Sequence, residues 1–316
     1  MNSYKDKLAV ITGAGTGIGR ALAHHLADEG CNLALCDINP ESLANTSRDC
    51  ESRGVRVISK TCDVGLESDI LAFRDAVSER TDHIHLLINN AGISGGSSMI
   101  TTSREEWERT FDICWFGVYH TTRAFLPLLL HAEAGHIVNM SSANGMRAVL
   151  GGHYPHTAYS SAKFAVRGFT ESLIHDFRFN APHLKASVVF PGTIGTDIVA
   201  NSAQVLGHNP PADWSEEEIG LARRRWEIAG ADVPANMSNE DARKRGEEEI
   251  DFLREVGVPP EEAAQHILER VKEGAWRIIV GPDCETMDEL VRSDPDRSYD
   301  EDFVLRWREA TAKLMS

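Results

Sequence analysis

Short apolar segments alternate along the chain with segments of helical periodicity. Seven apolar segments are rich in Val, Ile and Leu and show little alternation with polar residues: residues 8–12, 32–36, 55–62, 85–89, 136–140, 187–190 and 277–280. Such continuous apolar runs are typical of parallel strands that are covered on both faces. Helical segments, for example residues 19–29 and 67–79, lie between them. The pattern predicts a doubly wound α/β fold, in which a single domain holds a seven-stranded parallel sheet with helices on both faces.

One long segment, residues 198–258, interrupts the alternation. It contains no convincing strand pattern, and it is crowded with charge between residues 216 and 255. Because this insertion lies between two strands of the predicted sheet, we predict that it covers the carboxyl edge of the sheet as a helical lid. A solvated surface excursion and an oligomer contact are the alternatives. Residues 283–316 follow the last strand and form a C-terminal extension.

Three helices are predicted in the insertion and just after it. Ser215 and Glu218 have the spacing of a capping box, and the helix that they open carries four apolar residues on one side: Ile219, Ala222, Trp226 and Ala229. The second helix covers residues 240–256, and three of its side chains are expected to face inward: Ile250, Leu253 and Val256. Residues 259–260 are prolines that begin the third helix, which ends near Gly274.

Composition and charge narrow the classes of function. The 316 residues are 42% hydrophobic and 25% charged, which suffices for a sizeable core and argues against disorder. The formal net charge of −16 argues against nucleic acid or an anionic membrane as a partner, since phosphate binding needs a basic face. We find no apolar signal core, no run long enough to span a bilayer, and no metal-ligand spacing among the six cysteines. These features predict a cytoplasmic protein without a metal, whose partners are small molecules or other subunits.

A glycine-rich turn follows the first predicted strand directly. The strand ends at Thr12, and a helix begins at once after the turn, which consists of Gly13, Ala14, Gly15, Thr16, Gly17, Ile18 and Gly19. Glycines allow a tight turn and let the backbone approach a pyrophosphate, while the helix N-terminus supplies unpaired N–H groups and partial positive charge. Because the pattern lies between a strand and a helix, it predicts a dinucleotide site more strongly than isolated glycines would.

The end of the second predicted strand indicates which dinucleotide binds. Asp37 lies 18 positions after Gly19, where a carboxylate binds the adenine ribose diol of NAD and repels a 2′-phosphate. The next residue is Ile38 rather than the Arg or Lys that an NADP site favours. The expected cofactor is therefore NAD.

Tyr159 and Lys163 stand four residues apart, on one face of a predicted helix. A tyrosine that acts as a base near neutral pH needs its pKa lowered by about 3 units, or roughly 4 kcal/mol. A lysine charge about 4 Å away supplies an attraction of that order at an effective dielectric constant near 20. Upstream, a strand that ends just before Ser142 delivers a hydroxyl to the carboxyl edge, where it can hold a substrate oxygen. The three residues together predict acid/base chemistry at a substrate oxygen.

Together these motifs resemble the short-chain dehydrogenase/reductase family, over residues 7–282 of the chain. The glycine spacing T-G-x-x-x-G-x-G is that of the family rather than the ordinary Rossmann spacing. The resemblance implies a Rossmann-type fold and an NAD-dependent oxidoreductase. It also implies a homodimer or homotetramer that packs through the helices before and after the catalytic strand.

The resemblance implies roles for individual residues. Asp63 and Val64 follow the third strand, where the family contacts adenine. Further cofactor contacts are implied after the fourth strand, at Asn90, Ala91 and Gly92, and after the sixth, where the nicotinamide carboxamide is held, at Pro191, Gly192, Ile194 and Thr196. Ser142 is implied to be the catalytic serine and Tyr159 the general acid/base. Lys163 is implied both to lower the pKa of that tyrosine and to bind ribose.

The chain departs from the family pattern at two places. Cys114 stands where the family usually has an asparagine that supports a water of the proton relay, and a thiol is a poor hydrogen-bond partner for such a water. The segment from Ser142 to Tyr159 is also longer than is usual in the family. Its extra residues include His153 and His156, which line either the mouth of a pocket or an ordinary loop.

The leading hypothesis is the transfer of a hydride between NAD(H) and a secondary alcohol or ketone. Trp214 and Trp226 in the insertion favour a bulky, apolar substrate. One alternative is an NADPH-dependent carbonyl or ketoacyl reductase. An alternative from another class is an NAD-binding pseudoenzyme, for which Cys114 is the argument.

Overall fold

Seven parallel strands form one twisted sheet in a computed structural model, which describes residues 3–149, 155–228 and 231–315. The strands are β1 Leu8–Thr12, β2 Asn32–Asp37, β3 Val57–Thr61, β4 Leu86–Asn89, β5 Gly135–Met140, β6 Leu184–Pro191 and β7 Arg277–Val280. Their order in the sheet is β3-β2-β1-β4-β5-β6-β7. The strands after β1 are added first on one side of it, as β2 and β3, and then on the other side, as β4 to β7. Ligands of such folds bind where this strand order reverses, between β1 and β4, beyond the carboxyl ends of the strands. The predicted doubly wound fold is confirmed.

Helices connect the strands and cover the sheet. They are α1 Gly17–Asp28, α2 Pro40–Ser52, α3 Glu67–Ser78, α4 Arg104–Phe111, α5 Gly117–Leu130, α6 Thr157–Asn180, α7 Ile198–Leu206, α8 Glu216–Ile228, α9 Asn239–Val256, α10 Pro260–Glu273, α11 Pro282–Ser293 and α12 Phe303–Met315. One turn of π-helix, Asp112–Phe116, joins α4 to α5. The predicted helix ends agree closely with these: Pro260 begins α10, and Gly274 ends it in the left-handed conformation at φ 78°.

The hydrophobic core lies on both faces of the sheet. Apolar residues of α1, α2 and α10 pack on one face, and those of α3, α5 and α6 pack on the other. Successive residues of a strand point to opposite faces, so Ile11 joins the first core layer and Val10 the second. Each fully buried Leu, Ile or Phe side chain contributes about 1.5–3 kcal/mol to folding. This burial on both sides explains why the strands read as continuous apolar runs.

A buried polar network ties the two central strands to the helices behind them. The side-chain amide of Asn89 donates to Asn139 Oδ1 at 2.7 Å and to Thr122 Oγ1 at 3.0 Å. Asn139 in turn donates to Thr170 Oγ1 at 2.9 Å. Since buried polar groups are costly unless they are paired, this network fixes β4, β5, α5 and α6 relative to one another. It thereby positions the strand ends from which the candidate site is built.

The insertion, residues 198–258, has a small core of its own. Trp226 is 2% exposed and packs with Ile219, Ala222 and Ala242, and Trp214 lies against the same cluster. The two tryptophans therefore stabilise the insertion, and the expectation that they indicate the substrate loses its support. The predicted capping box of α8 is confirmed, because Glu218 N donates to Ser215 Oγ and Ser215 N donates to Glu218 Oε2. Ala229, which was expected on the same helix face, lies outside the described residues.

The inward face expected for α9 is wrong for Leu253 and Val256, while Ile250 is partly buried. Leu253 is 40% exposed and Val256 is 48% exposed. The helix instead packs through Ala242 and Gly246, which are both buried. A β-carbon on Gly246 would lie 2.5 Å from the Trp214 ring, so only small residues allow the helix to approach this indole. The large apolar residues near the end of α9 consequently face outward.

Candidate active site

The glycine turn after β1 is held by the segment after β4. The Asn90 side chain donates to the carbonyl oxygens of Thr12 and Gly13, each at 3.0 Å. Thr12 Oγ1 accepts hydrogen bonds from the backbone N–H groups of Asn90 and Ala91. A β-carbon on Gly19 would lie 2.1 Å from the Gly13 carbonyl oxygen, and Gly17 has φ 52°. The glycines thus leave a backbone cradle at the N-terminus of α1, which is the kind of site that binds a pyrophosphate.

Asp37 ends β2 directly beside this cradle. Its Oδ2 accepts a hydrogen bond from Gly15 N at 2.8 Å, and its Oδ1 accepts one from Asn39 N at 2.8 Å. The carboxylate is therefore fixed next to the turn, and the Ile38 side chain beside it is 44% exposed. Arg20 was not identified from the sequence. Its guanidinium donates to the Gly15 carbonyl oxygen at 2.7 Å and so stabilises the glycine turn as well.

The segment after β3 carries an ion pair that the sequence did not indicate. Arg109 of α4 contacts Asp63 Oδ2 at 2.5 Å, and Asp63 Oδ1 accepts a hydrogen bond from Gly65 N at 2.9 Å. Val64, which is buried, packs beside the position of Gly117. Asp63 is thus held in place by a charge from a distant helix, at the strand end next to Asp37.

The structure brings together the three predicted catalytic residues. Lys163 is 3% exposed; its Nζ donates to the Met140 carbonyl oxygen at 2.8 Å and lies 5.5 Å from the centre of the Tyr159 ring. Burial raises the pKa of Tyr159 above its ordinary value, Cys114 adds to the rise, and a hydrogen bond with Ser142 acts in the opposite direction. Burial also lowers the pKa of Lys163. Tyr159 is therefore protonated at neutral pH in this arrangement, which suits the donation of a proton.

Cys114 lies beside the lysine, in the turn of π-helix. Its thiol is fully buried and donates to the Ile93 carbonyl oxygen at 3.2 Å. Burial raises the pKa of Cys114, and Lys163 lowers it. Since π-helical turns are rare and frequent at functional sites, this local geometry agrees with a role in the site. A β-carbon on Gly92 would lie 3.4 Å from Lys163 Nζ and 3.8 Å from Cys114 Sγ. The backbone of Gly92 therefore packs directly beside both side chains.

The segment after β6 lies against the glycine turn. The methyl group of Thr196 lies 3.1 Å from where a β-carbon on Gly17 would be. Gly192 N donates to the Val280 carbonyl oxygen at 2.8 Å, so Pro191 and Gly192 extend the pairing of β6 with β7. Ile194 forms an isolated parallel bridge with Val258. The predicted cofactor residues after β1, β4 and β6 thus meet at the carboxyl edge of the sheet.

Three contacts connect the insertion to this edge. Asn201 of α7 donates to Thr16 Oγ1 in the glycine turn at 3.2 Å. Ser202 Oγ, also on α7, accepts a hydrogen bond from Ser94 N at 2.8 Å. Just after α7, His208 Nε2 lies 3.3 Å from Glu106 Oε2. Helix α7 therefore lies across the glycine turn and the segment that follows β4.

The long segment between Ser142 and Tyr159 packs against the C-terminal extension. Arg147 is 4% exposed; it donates to the Ser298 carbonyl oxygen at 2.6 Å and lies over the Phe303 ring, 4.2 Å from its centre. The ring of His156 is 6.4 Å from that of Tyr159 in an edge-on arrangement. His153 lies outside the described residues. The sequence did not indicate this packing of the chain end against the catalytic segment.

The six cysteines are buried free thiols. Within the described ranges, no group of three or more His, Cys, Asp or Glu side chains is placed to hold a metal ion. No helix in the described part of the chain has the length and apolar character needed to cross a membrane.

Comparisons with known sequences agree with this geometry. A family model described as short chain dehydrogenase matches residues 7–206. The oxidoreductase SadH of Mycobacterium tuberculosis is 34% identical over 294 residues, which are 92% of this chain and 92% of SadH. Human estradiol 17-beta-dehydrogenase 11 is 32% identical over 65% of this chain and 67% of its own length. Human epidermal retinol dehydrogenase 2 is 34% identical over 60% of this chain and 61% of its own length.

Solved structures have the same architecture. A short-chain dehydrogenase/reductase from Burkholderia phymatum, crystallised with NAD, is 28% identical and superposes with a TM-score of 0.74 over 94% of this chain and 96% of its own. An NAD⁺-bound xylitol dehydrogenase is 21% identical, with a TM-score of 0.63 over 88% of this chain and 98% of its own. The second likeness concerns the fold alone.

Proposed function

The chain belongs to the short-chain dehydrogenase/reductase family, and on that premise we propose that it is an NAD-dependent oxidoreductase acting on secondary alcohols or ketones. The observation that carries the proposal is the meeting of two buried side chains, Ser142 and Lys163, with the partly buried Tyr159, beside a glycine cradle at one edge of the sheet. The cradle supports a bound dinucleotide, because its backbone lies at the N-terminus of α1, where unpaired N–H groups and partial positive charge favour a pyrophosphate. The test is NADH formation from a panel of secondary alcohols, run beside NAD binding by calorimetry.

We assign each side chain a part in the proton transfer. Ser142 holds the substrate oxygen, and Tyr159 gives its proton to that oxygen when a ketone is reduced, or takes the proton when an alcohol is oxidised. Lys163 lies over the Tyr159 ring, where its charge favours the phenolate during oxidation. NAD, when bound, supplies the hydride acceptor and a further positive charge on its nicotinamide ring. The burial of Ser142 and Lys163 limits the access of water to this proton.

The cofactor that we propose is NAD rather than NADP. Asp37 places a fixed carboxylate beside the glycine turn, and that charge would repel a 2′-phosphate. The crystallised relative from Burkholderia phymatum holds NAD, which supports the same choice. An NADPH-dependent reductase would need a basic residue near Ile38, and Arg20 is already bonded to the Gly15 carbonyl oxygen.

Asp37→Ala tests the choice of cofactor. The wild type is expected to bind NAD at least about tenfold more tightly than NADP, which is about 1.4 kcal/mol. The substitution should narrow this ratio, because it removes both the ribose ligand and the repulsion. Calorimetric titration of both dinucleotides measures the ratio. Glu41→Ala, which removes a nearby exposed carboxylate of α2, should leave it unchanged. A wild type that prefers NADP overturns the assignment.

We propose a bulky, apolar alcohol as substrate. The tryptophans of the insertion do not support this substrate class, because they pack in the small core of the insertion itself. Support comes from two relatives that are named for estradiol and for retinol, both bulky apolar alcohols. The panel of alcohols should therefore include steroids and terpenoids.

The insertion is proposed to act as a lid over the cofactor. Its contacts with the glycine turn, through Asn201 and Thr16, and with the segment after β4, through Ser202 and Ser94, support this role. We expect a protease to cut first between residues 203 and 255, and NAD with substrate to slow that cleavage. The rate of cutting is followed by mass spectrometry, with NADP at equal concentration as control. Cleavage that is indifferent to ligands would leave the insertion as a surface or an interface.

A second candidate is an NAD-binding protein without catalysis. It is favoured by Cys114, whose thiol donates to the Ile93 carbonyl oxygen at the place of the family's relay asparagine. NAD binding without turnover on any alcohol or ketone would identify it.

We further propose a cytoplasmic homodimer or homotetramer. Its support is a set of exposed aromatic side chains near the helices through which the family packs its subunits: Phe116 just before α5, and Phe164 and Phe179 on α6.

A further inference from the structure

Asp283 of α11 contacts the segment after β6 through its side chain. Its Oδ2 accepts a hydrogen bond from Thr193 N at 2.7 Å and a second from Thr193 Oγ1 at 2.8 Å. Hydrogen bonds to a carboxylate are shorter and stronger than those between neutral groups. Thr193, in the segment after β6 that is expected to bind nicotinamide, is thus bound to the Asp283 carboxylate through both its backbone and its side chain.

Two glycines make room for this carboxylate. A β-carbon on Gly192 would lie 2.1 Å from Asp283 Oδ1, and one on Gly281 would lie 2.8 Å from the same oxygen. Gly281 also has φ 100°, a conformation that other residues rarely adopt. The backbone on both sides of Asp283 therefore approaches the carboxylate more closely than a residue with a side chain would allow.

The opposite side of the same segment is held by the end of the insertion. Val258 N donates to the Thr193 carbonyl oxygen, and Gly195 N donates to the Val258 carbonyl oxygen, each at 3.0 Å. Thr193 is consequently held at its carbonyl by Val258 and at its N–H and hydroxyl by Asp283. The conformation of the segment depends on both partners.

Helix α12 holds Asp283 in turn. Trp307 of α12 donates from its indole nitrogen to the Asp283 carbonyl oxygen at 2.7 Å. The indole packs with the cluster of Phe190, Met287 and Phe303 beneath α11. The extension thus connects the chain end to the segment that follows β6.

We propose that Asp283 is a positioning residue, which holds Gly192 and Thr193 in the conformation that binds the nicotinamide half of NAD. The inference rests on the proposed function, because it assumes that this segment binds nicotinamide. A purely structural role is the competing explanation, since Asp283 also lies in the first turn of α11, where a carboxylate stabilises the helix N-terminus. Glu285 is an exposed carboxylate of the same turn and provides the matched control.

The test compares two ligands, NADH and ADP-ribose, which share the adenosine and diphosphate but differ in the nicotinamide. Loss of both hydrogen bonds in Asp283→Ala should weaken NADH binding about tenfold or more while ADP-ribose binding stays within about twofold. Asp283→Asn keeps an acceptor oxygen and should give an intermediate loss. Glu285→Ala should change neither affinity. Calorimetric titration measures both, and the thermal unfolding midpoint shows that each variant is folded.

The outcomes separate this inference from the proposed function. Equal weakening of both ligands, or of neither, in Asp283→Ala would overturn the positioning role. If that variant does not fold, Asp283→Asn and Thr193→Val decide the question by the same ratio of affinities. A wild type that binds neither NADH nor ADP-ribose would instead contradict the proposed function itself.

Discussion

Replacing Tyr159 with phenylalanine is expected to lower kcat by about 10²–10⁴-fold, the usual contribution of a positioned acid/base group. The change removes only the hydroxyl, which the proposed mechanism uses to exchange a proton with the substrate oxygen. The ring stays, so its packing in the core and its contact with the Lys163 ammonium remain. NAD affinity should therefore change little, because the glycine turn and Lys163 are intact.

Steady-state kinetics with the best alcohol of the panel, beside NAD titration, measure this effect. Tyr119→Phe is the matched control: its ring belongs to the aromatic cluster with Trp115 and Phe169, and it lies outside the proposed site. Its kcat should equal that of the wild type. An active wild type whose rate survives Tyr159→Phe would remove the tyrosine, and the mechanism built on it.

Gly19→Ala is expected to weaken NAD binding by about 10–100-fold, which corresponds to the 1–3 kcal/mol typical of overpacking. The new methyl group would lie 2.1 Å from the Gly13 carbonyl oxygen and 2.5 Å from Asn90 Nδ2. Both atoms belong to the hydrogen bond that holds the glycine turn to the segment after β4, so the turn must shift. The shift displaces the backbone N–H groups that we expect to bind the pyrophosphate.

Gly220→Ala is the control for this substitution. Gly220 is an exposed glycine in α8 with open space around its α-carbon, so an alanine there should leave NAD binding unchanged and stabilise the helix by up to about 1 kcal/mol. Calorimetry gives the dissociation constants, and thermal unfolding gives the stabilities. NAD binding of wild-type strength in Gly19→Ala would place the pyrophosphate elsewhere.

The strands and the short motifs could be predicted because each depends on residues that are close in sequence. A continuous apolar run such as β1 indicates a strand that is buried on both faces, and the glycines that follow it indicate a tight turn. The inward face of α9 could not be predicted in the same way. Leu253 and Val256 have the spacing of a buried stripe, yet the helix packs through Ala242 and Gly246, because these are small enough to approach Trp214. Which stripe is buried depends on the neighbouring helix, and a periodic pattern does not identify that neighbour.

The partners that orient the site residues were missed for a related reason. Asp283 lies 90 positions from Thr193, Arg109 lies 46 from Asp63, and Arg147 lies 151 from Ser298. Each pair is brought together by the topology of the sheet and by the packing of helices on its edge. From the sequence alone, a charged residue in a helix is expected to be a solvated surface side chain. The chemical groups of the site could therefore be identified from local motifs, but their supports could not.

Transfer of deuterium from a labelled alcohol to NAD⁺ tests whether the protein moves a hydride. The protein is incubated with NAD⁺ and a panel of secondary alcohols that carry deuterium on the carbinol carbon, and the cofactor is then analysed by mass spectrometry. We predict that at least one bulky, apolar alcohol yields NADH that carries the deuterium, and that Tyr159→Phe slows this transfer by about 10²–10⁴-fold. The proposed activity is contradicted if NAD⁺ binds to the wild type but acquires no deuterium from any alcohol, and if NADH reduces none of the matching ketones.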